Sequence, residues 1–236
     1  SGECADEIFA GYPWYHRKEI LFEDTFPWSR TTDVRHSVLA DGFLKHSDEY
    51  ARSAYLNTVN STDYLDTDSS TDRRMREMFK LNMDWFMQTL LCRKDAMSME
   101  SSLEVRVPFC DYRIVEYAYN MPWDIKSYLG REKGILRKAF ENELPDEITW
   151  RKKSPYPKTF NPEYVSAVSN MVKSVLDDKT CPLYDMLNKK IILDLTENPD
   201  SLSEPWYGQL MRGPQVLAYI VQIYVWIKKC NIQFDI

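Results

Sequence analysis

Glycine is scarce in this chain, 7 of 236 residues. That argues against a β-sandwich, whose many tight turns call for residues free to take positive φ. The five cysteines, at 4, 92, 110, 181 and 230, are odd in number and widely spread, with no C-x-x-C pair. Neither a zinc ribbon nor a disulfide framework is expected, and reduced thiols in a cytoplasmic protein are the simplest account. The longest apolar run, Val216 to Ile227, is broken by Gln222 and falls short of the ~20 residues that span a bilayer, so no membrane partner is expected. His16, His36 and His46 have no metal-ligand spacing. Lys and Arg (30) are outnumbered by Asp and Glu (36), for a net charge of −6; a nucleic-acid partner is not expected, because duplex binding rests on phosphate neutralisation. There is no internal repeat and no βαβ alternation that would announce a parallel sheet. A signal peptide and an initiating Met are also missing, and a chain that opens in mid-motif reads as a piece of something longer.

What is present is ordinary globular composition, 44% apolar and 28% charged, enough for one domain over residues 1–236 with a sizeable core. The fold class expected is mainly α. Short helices are read at Trp14–Glu23, Val34–Leu44 and Glu49–Val59, then a polar loop at Asp63–Asp72. From a cap at Ser70 or Thr71, Met75, Met78, Phe79, Asn82, Trp85, Phe86, Thr89 and Leu90 recur at three and four, the helix period. Leu103 to Asp111 alternates apolar and charged residues before a proline and reads as extended. Further helices are read at Asp111–Asn120, from Gly130 to near Pro145, and at Glu163–Leu176, Leu183–Leu195 and Gln215–Lys229. The last is apolar on most faces and needs burial.

The chemistry is concentrated at the start. Ser1-Gly2-Glu3-Cys4-Ala5-Asp6-Glu7-Ile8-Phe9-Ala10-Gly11-Tyr12 holds three acids in five positions with no basic residue before Arg17. On a helix Glu3 and Glu7 are four apart and Glu3 and Asp6 three apart, and such like-charge pairs oppose a helix by roughly 0.2–0.5 kcal/mol each. The plainer reading is acids favoured by a helix N-terminus; the sharper one is a site for a cation such as Mg²⁺ carrying phosphates. Arg93, Asp95, Glu104 and Arg106 read as a mixed-charge salt-bridge network, and Lys133 and Arg137, four apart, as a solvated basic helix face. Arg151 to Pro162 is a basic, proline-studded loop.

The wording of these segments adds more than their spacing. Ser-Gly-Glu-x-x-Asp-Glu-(Ile/Leu)-Phe-x-Gly-Tyr resembles a signature of the asparagine synthetases, in the half that activates aspartate with ATP. Arg-Lys-Asp-x-x-Ser-Met-x-x-x-Leu-Glu-Val-Arg-Val-Pro-Phe-x-Asp, from Arg93 to Asp111, is similar to that family's best-preserved block. Lys133-x-x-Leu-Arg-x-Ala followed by Leu-Pro resembles its lysine motif, and Arg151-Lys-Lys-Ser-Pro-Tyr-Pro-Lys-Thr the segment after it. Cys4 stands where many members have Gly, and Cys110 where they usually have Leu.

The resemblance implies the helical C-terminal portion of an adenine-nucleotide-hydrolase-like (PP-loop) α/β synthetase domain. It implies ATP-dependent conversion of aspartate to asparagine through an aspartyl adenylate, with ammonia from glutamine in the complete enzyme. By the same resemblance Glu3 is the general base and Lys133 the cation at the α-phosphate. Ser1 and Gly2 border the nucleotide, and Asp6, aided by Glu7, holds Mg²⁺. Arg93, Asp95, Glu104 and Arg106 wall the aspartate and adenylate pocket. ATP, Mg²⁺, aspartate and the N-terminal part of the same polypeptide are the implied partners, and a homodimer stays open. The family's Ser-Gly-Gly-x-Asp-Ser phosphate loop does not occur in this chain, nor does a glutaminase domain, so the piece is expected not to catalyse unaided. A β-lactam synthetase-like enzyme and a helical interaction module without chemistry are the alternatives.

Overall fold

The structure is a computed structural model that describes the chain except residues 31, 155–160, 203, 207–210 and 235–236. The basic loop beyond Ser154 therefore lies largely outside the described residues. Those residues are mainly helical and contain no strand; one isolated antiparallel bridge joins Leu39 and Leu187. The chain divides into two compact units, Ser1–Pro27 with Ala51–Pro155, and Trp28–Tyr50 with Tyr156–Ile236.

In the first unit the helix Ala5–Ile8 is only four residues long, too short to stand alone in water. Packing holds it. Ala5, Ile8 and Phe9, at i, i+3 and i+4, are buried with Phe79 and Ala118, and Met83, Phe109, Val115, Ile135 and Leu136 close around them. Full burial of a side chain such as Ile8 contributes ~1.5–3 kcal/mol. The long helical run predicted from periodicity is present in three parts. Ser70–Leu81 passes through a wider π-wound stretch, Asn82–Met87, into Gln88–Glu100. Its cap is Ser69, whose Oγ accepts from the Asp72 amide at 3.1 Å; Ser70 is already helical. Buried Arg74 donates to the carbonyls of Leu21 and Glu23 and to the Tyr55 hydroxyl, tying the segment after the helix Lys18–Leu21 to this scaffold.

Several sequence expectations change. Trp14–Glu23 is a 3₁₀ turn, Pro13–Tyr15, followed by the helix Lys18–Leu21. The stretch Leu103–Val107 pairs with no strand among the described residues and runs into a 3₁₀ turn, Pro108–Cys110. The helix read from Gly130 begins at Gly134. The thiol expectation is also corrected: Cys4 and Cys110 are joined as a disulfide with Cα atoms 5.9 Å apart, while Cys92, Cys181 and Cys230 are free. The pair is 106 residues apart in sequence, so no local spacing announces it. It forms because Phe9 and Ala5 pack against Phe109 and Val115, which sets the turn after Glu3 beside the turn at Pro108.

In the second unit the helix Gly213–Cys230 buries Val216, Leu217, Ile220 and Ile227 against Pro162–Asp177 and Lys189–Glu197. The burial its sequence calls for is met on one face, while Tyr219, Val225 and Trp226 of the same helix stay exposed. No helix among the described residues is long and apolar enough to cross a membrane.

Candidate active site

The opening turn lies against two basic segments of the first unit. Cys4 takes φ 74° and starts the Ala5–Ile8 helix, and the chain then reaches Gly11, where a Cβ would fall on Asp6 Oδ1 inside van der Waals contact. Only glycine leaves that carboxylate its place. Asp6 Oδ1 receives Lys153 Nζ at 2.7 Å and Lys133 Nζ at 3.1 Å. Lys153 also donates to the Gly11 carbonyl at 2.8 Å and lies 4.5 Å from the centre of the Tyr12 ring. Burial pushes the Asp6 carboxyl up, but the two lysines outweigh it and hold the group below its usual value.

The lysines are presented by a strap. Arg137 donates to the Glu132 carbonyl, to Glu132 Oε1 at 3.0 Å and to the carbonyls of Thr149 and Arg151. Glu132 Oε1 in turn accepts the Lys153 amide at 3.1 Å. Lys133 sits at φ 55°, a left-handed conformation, one residue before its helix. Lys133 and Arg137 therefore do not share a helix face as their spacing suggested: Lys133 turns to Asp6, and Arg137 braces the strap. At Gly134 a Cβ would collide with the Tyr128 backbone, so this glycine sets how closely Lys133 is carried.

Glu3 has a different environment. Its Oε1 is 3.4 Å from Lys94 Nζ, and its Oε2 is shielded from solvent and accepts no hydrogen bond among the described residues. Glu7, by contrast, is 2% exposed and accepts from the Tyr12 hydroxyl at 2.6 Å. Burial raises its carboxyl above the ordinary value, against the opposing Tyr12 hydrogen bond.

Ser1 and Gly2 are exposed; the Ser1 nitrogen donates to the Arg106 carbonyl at 2.8 Å, and an added Cβ at Gly2 would meet nothing within 4 Å. Arg93 and Asp95 face solvent and make no ion pair among the described residues, while Glu104 pairs with Arg106 on the surface at 3.0 Å. The four do not form the salt-bridge network read from the sequence. The residue of that block that reaches the opening motif is Lys94. Sequence reasoning passed over Lys94 and Lys153; both stand inside quoted motif segments, and that was the one signal available for them.

Among the described residues no three His, Cys, Asp or Glu side chains are grouped to hold a metal ion. A magnesium ion here would take most of its ligands from phosphates and water, and Asp6 would serve as its carboxylate only once the lysines on that oxygen turn to the phosphates.

Compared with known proteins, residues 1–228 match the family profile described as asparagine synthase. The chain is 49% identical over its full length to asparagine synthetase [glutamine-hydrolyzing] 3 of Bacillus subtilis, covering 38% of that protein. It is 26% identical to asparagine synthetase [glutamine-hydrolyzing] 1 of the same organism over 84% of the chain and 36% of the relative. With the asparagine synthetase [glutamine-hydrolyzing] of Gallus gallus it shares 33% identity over 49% of the chain and 20% of the relative. It thus spans well under half the length of these relatives.

Proposed function

The chain belongs to the asparagine synthase family, and from that premise we propose that it supplies part of the active site of an ATP-dependent, glutamine-hydrolysing asparagine synthetase. The observation that carries this reading is Asp6, whose one oxygen is shared by Lys133 and Lys153 within the Ser-Gly-Glu turn. Here the aspartate side-chain carboxylate attacks the α-phosphorus of ATP, the bond to the β-phosphate oxygen breaks, and pyrophosphate leaves. Asp6 is the carboxylate for the magnesium carried by the triphosphate. Binding of the phosphates draws Lys133 toward the α-phosphate, where a mobile ammonium follows oxygens as charge shifts. Ammonia then attacks the acyl carbon of the adenylate, Glu3 Oε2 takes its proton, and AMP leaves. Such a positioned base contributes ~10²–10⁴-fold.

Ser1 and Gly2 border the nucleotide in this reading, and Arg93, Asp95, Glu104 and Arg106 belong to the wall of the aspartate and adenylate pocket. Glu7 fits the metal role less well than Asp6, since its buried carboxyl is already engaged by Tyr12. It serves to hold the aromatic wall of Tyr12, Trp14 and Phe86, whose rings meet at 4.4–5.5 Å. The phosphates also need backbone N–H groups, and the PP-loop half of the domain would bring these from elsewhere in the same polypeptide. The chain is then the helical C-terminal portion of one α/β synthetase domain, working in the cytoplasm.

The products test the route. With aspartate, Mg-ATP and ammonium, the full-length polypeptide should release asparagine, AMP and pyrophosphate in equal amounts. Release of ADP and phosphate would replace the adenylate with an acyl phosphate and overturn the reading.

A further inference from the structure

The Cys4–Cys110 bond fastens the residue after Glu3 to the Pro108–Cys110 turn. The two cysteines differ in exposure. Cys4 is 2% exposed, whereas Cys110 is half-buried and lines a cavity of about 540 Å³ together with Phe79, Met83, Val115 and Glu116. A cavity of that size admits a small molecule, and Cys4 is not among its lining residues. Cys4 also holds φ 74°, a conformation that side chains other than glycine rarely adopt. The cross-link ties that residue to the Pro108–Cys110 turn, while among the described residues the Glu3 carboxylate has only the long contact to Lys94 at 3.4 Å.

We propose that Cys4–Cys110 is a thiol–disulfide exchange site, opened at Cys110 by a small dithiol entering through the cavity, and that its state sets how firmly Glu3 is held. In the first step a thiolate of the dithiol attacks the Cys110 sulfur, the S–S bond breaks, and Cys4 leaves as a thiolate that takes a proton from solvent. In the second the remaining thiol of the reagent, having lost its proton, attacks its own sulfur in the mixed disulfide. A cyclic disulfide leaves, and Cys110 becomes a thiol. The protein gains two electrons and two protons, and the dithiol is oxidised. Bonds of this kind in a reducing compartment are transient or sensing rather than structural. The consequence for catalysis rests on the role proposed above for Glu3.

The full-length polypeptide, isolated without reductant and blocked with N-ethylmaleimide, should yield a tryptic peptide containing Cys4 linked to Val107–Arg113. Brief treatment of the native protein with 2-mercaptoethanol should place the mixed disulfide on Cys110 and leave Cys4 open to maleimide. Dithiothreitol should then speed amide hydrogen exchange across residues 3–11 several-fold and slow ammonia-dependent asparagine formation, with pyrophosphate–ATP exchange unchanged. The variant Cys4→Gly/Cys110→Leu, with glycine suited to the positive φ and leucine to the apolar surroundings, should be active and indifferent to dithiothreitol. Alkylation of both cysteines before reduction, a mixed disulfide on Cys4, or amide exchange unchanged by reduction would each overturn the proposal. If no asparagine forms in either state, the synthetase reading fails, while the trapped peptides and amide exchange still decide the exchange site.

Discussion

Asp6 concentrates the electrostatics of the site in one oxygen. Two lysines there leave the trio with a net positive charge, ready to exchange a carboxylate for phosphate. Because its folded-state pKa is lowered, this pairing adds stability above the usual carboxylate range, and that stability is lost as pH falls through the lowered value. Lys126 is the opposite case. It is 7% exposed, with its Nζ 4.6 Å from the centre of the Phe79 ring. Burial, with Arg76 adding to it, pushes its ammonium down to about 7. From there up to the ordinary lysine range the unfolded chain binds a proton that the folded chain does not, so stability from this group rises with pH. Lys126→Met should raise the unfolding temperature by a few degrees at pH 6, ~1 kcal/mol being worth ~2–4 °C at this size, and by less at pH 9.5. Calorimetry at the two pH values checks this; an equal shift at both would show that the lysine is not held uncharged.

The elements that carry the site are short and owe their geometry to close approach. Gly11 makes room for Asp6, and Gly134 lets the helix Gly134–Ala139 approach the Tyr128 backbone. Gly11→Ala should therefore displace the Asp6 carboxylate and lower pyrophosphate–ATP exchange in the full-length polypeptide by ~10²-fold or more, the cost of about 1 Å of misplacement, while circular dichroism is unchanged. Wild-type exchange would refute the close-approach account. The Met and aromatic stripe from Met75 to Leu90 was legible because a helix repeats its buried face every three to four residues. The left-handed turn at Lys133 was not, since a lysine there breaks local preference and its spacing to Arg137 imitates a helix face. The Cys4–Cys110 pairing was invisible for a related reason: long-range meetings leave no periodic trace. Lys94 and Lys153 were hidden by their neighbours Arg93, Lys152 and Asp95, because only the folded chain decides which charge of a run turns inward.

At the scale of the whole molecule, the family profile covers residues 1–228 while the chain spans 38% of its Bacillus subtilis relative. The carboxylates and lysines are here, and a Ser-Gly-Gly-x-Asp-Ser phosphate loop is not. The division of labour between Lys133 and Glu3 is the centre of the account, and aspartate-dependent exchange of labelled pyrophosphate into ATP separates them. In the full-length polypeptide, Lys133→Ala should lower exchange by ~10²–10³-fold, as loss of one donor aimed at developing charge does. Glu3→Gln should retain exchange yet stop asparagine formation from ammonia, and this chain alone should be silent. Loss of exchange in Glu3→Gln equal to that in Lys133→Ala, or full exchange in Lys133→Ala, would contradict the assignment of adenylation to the lysine and amide formation to the glutamate.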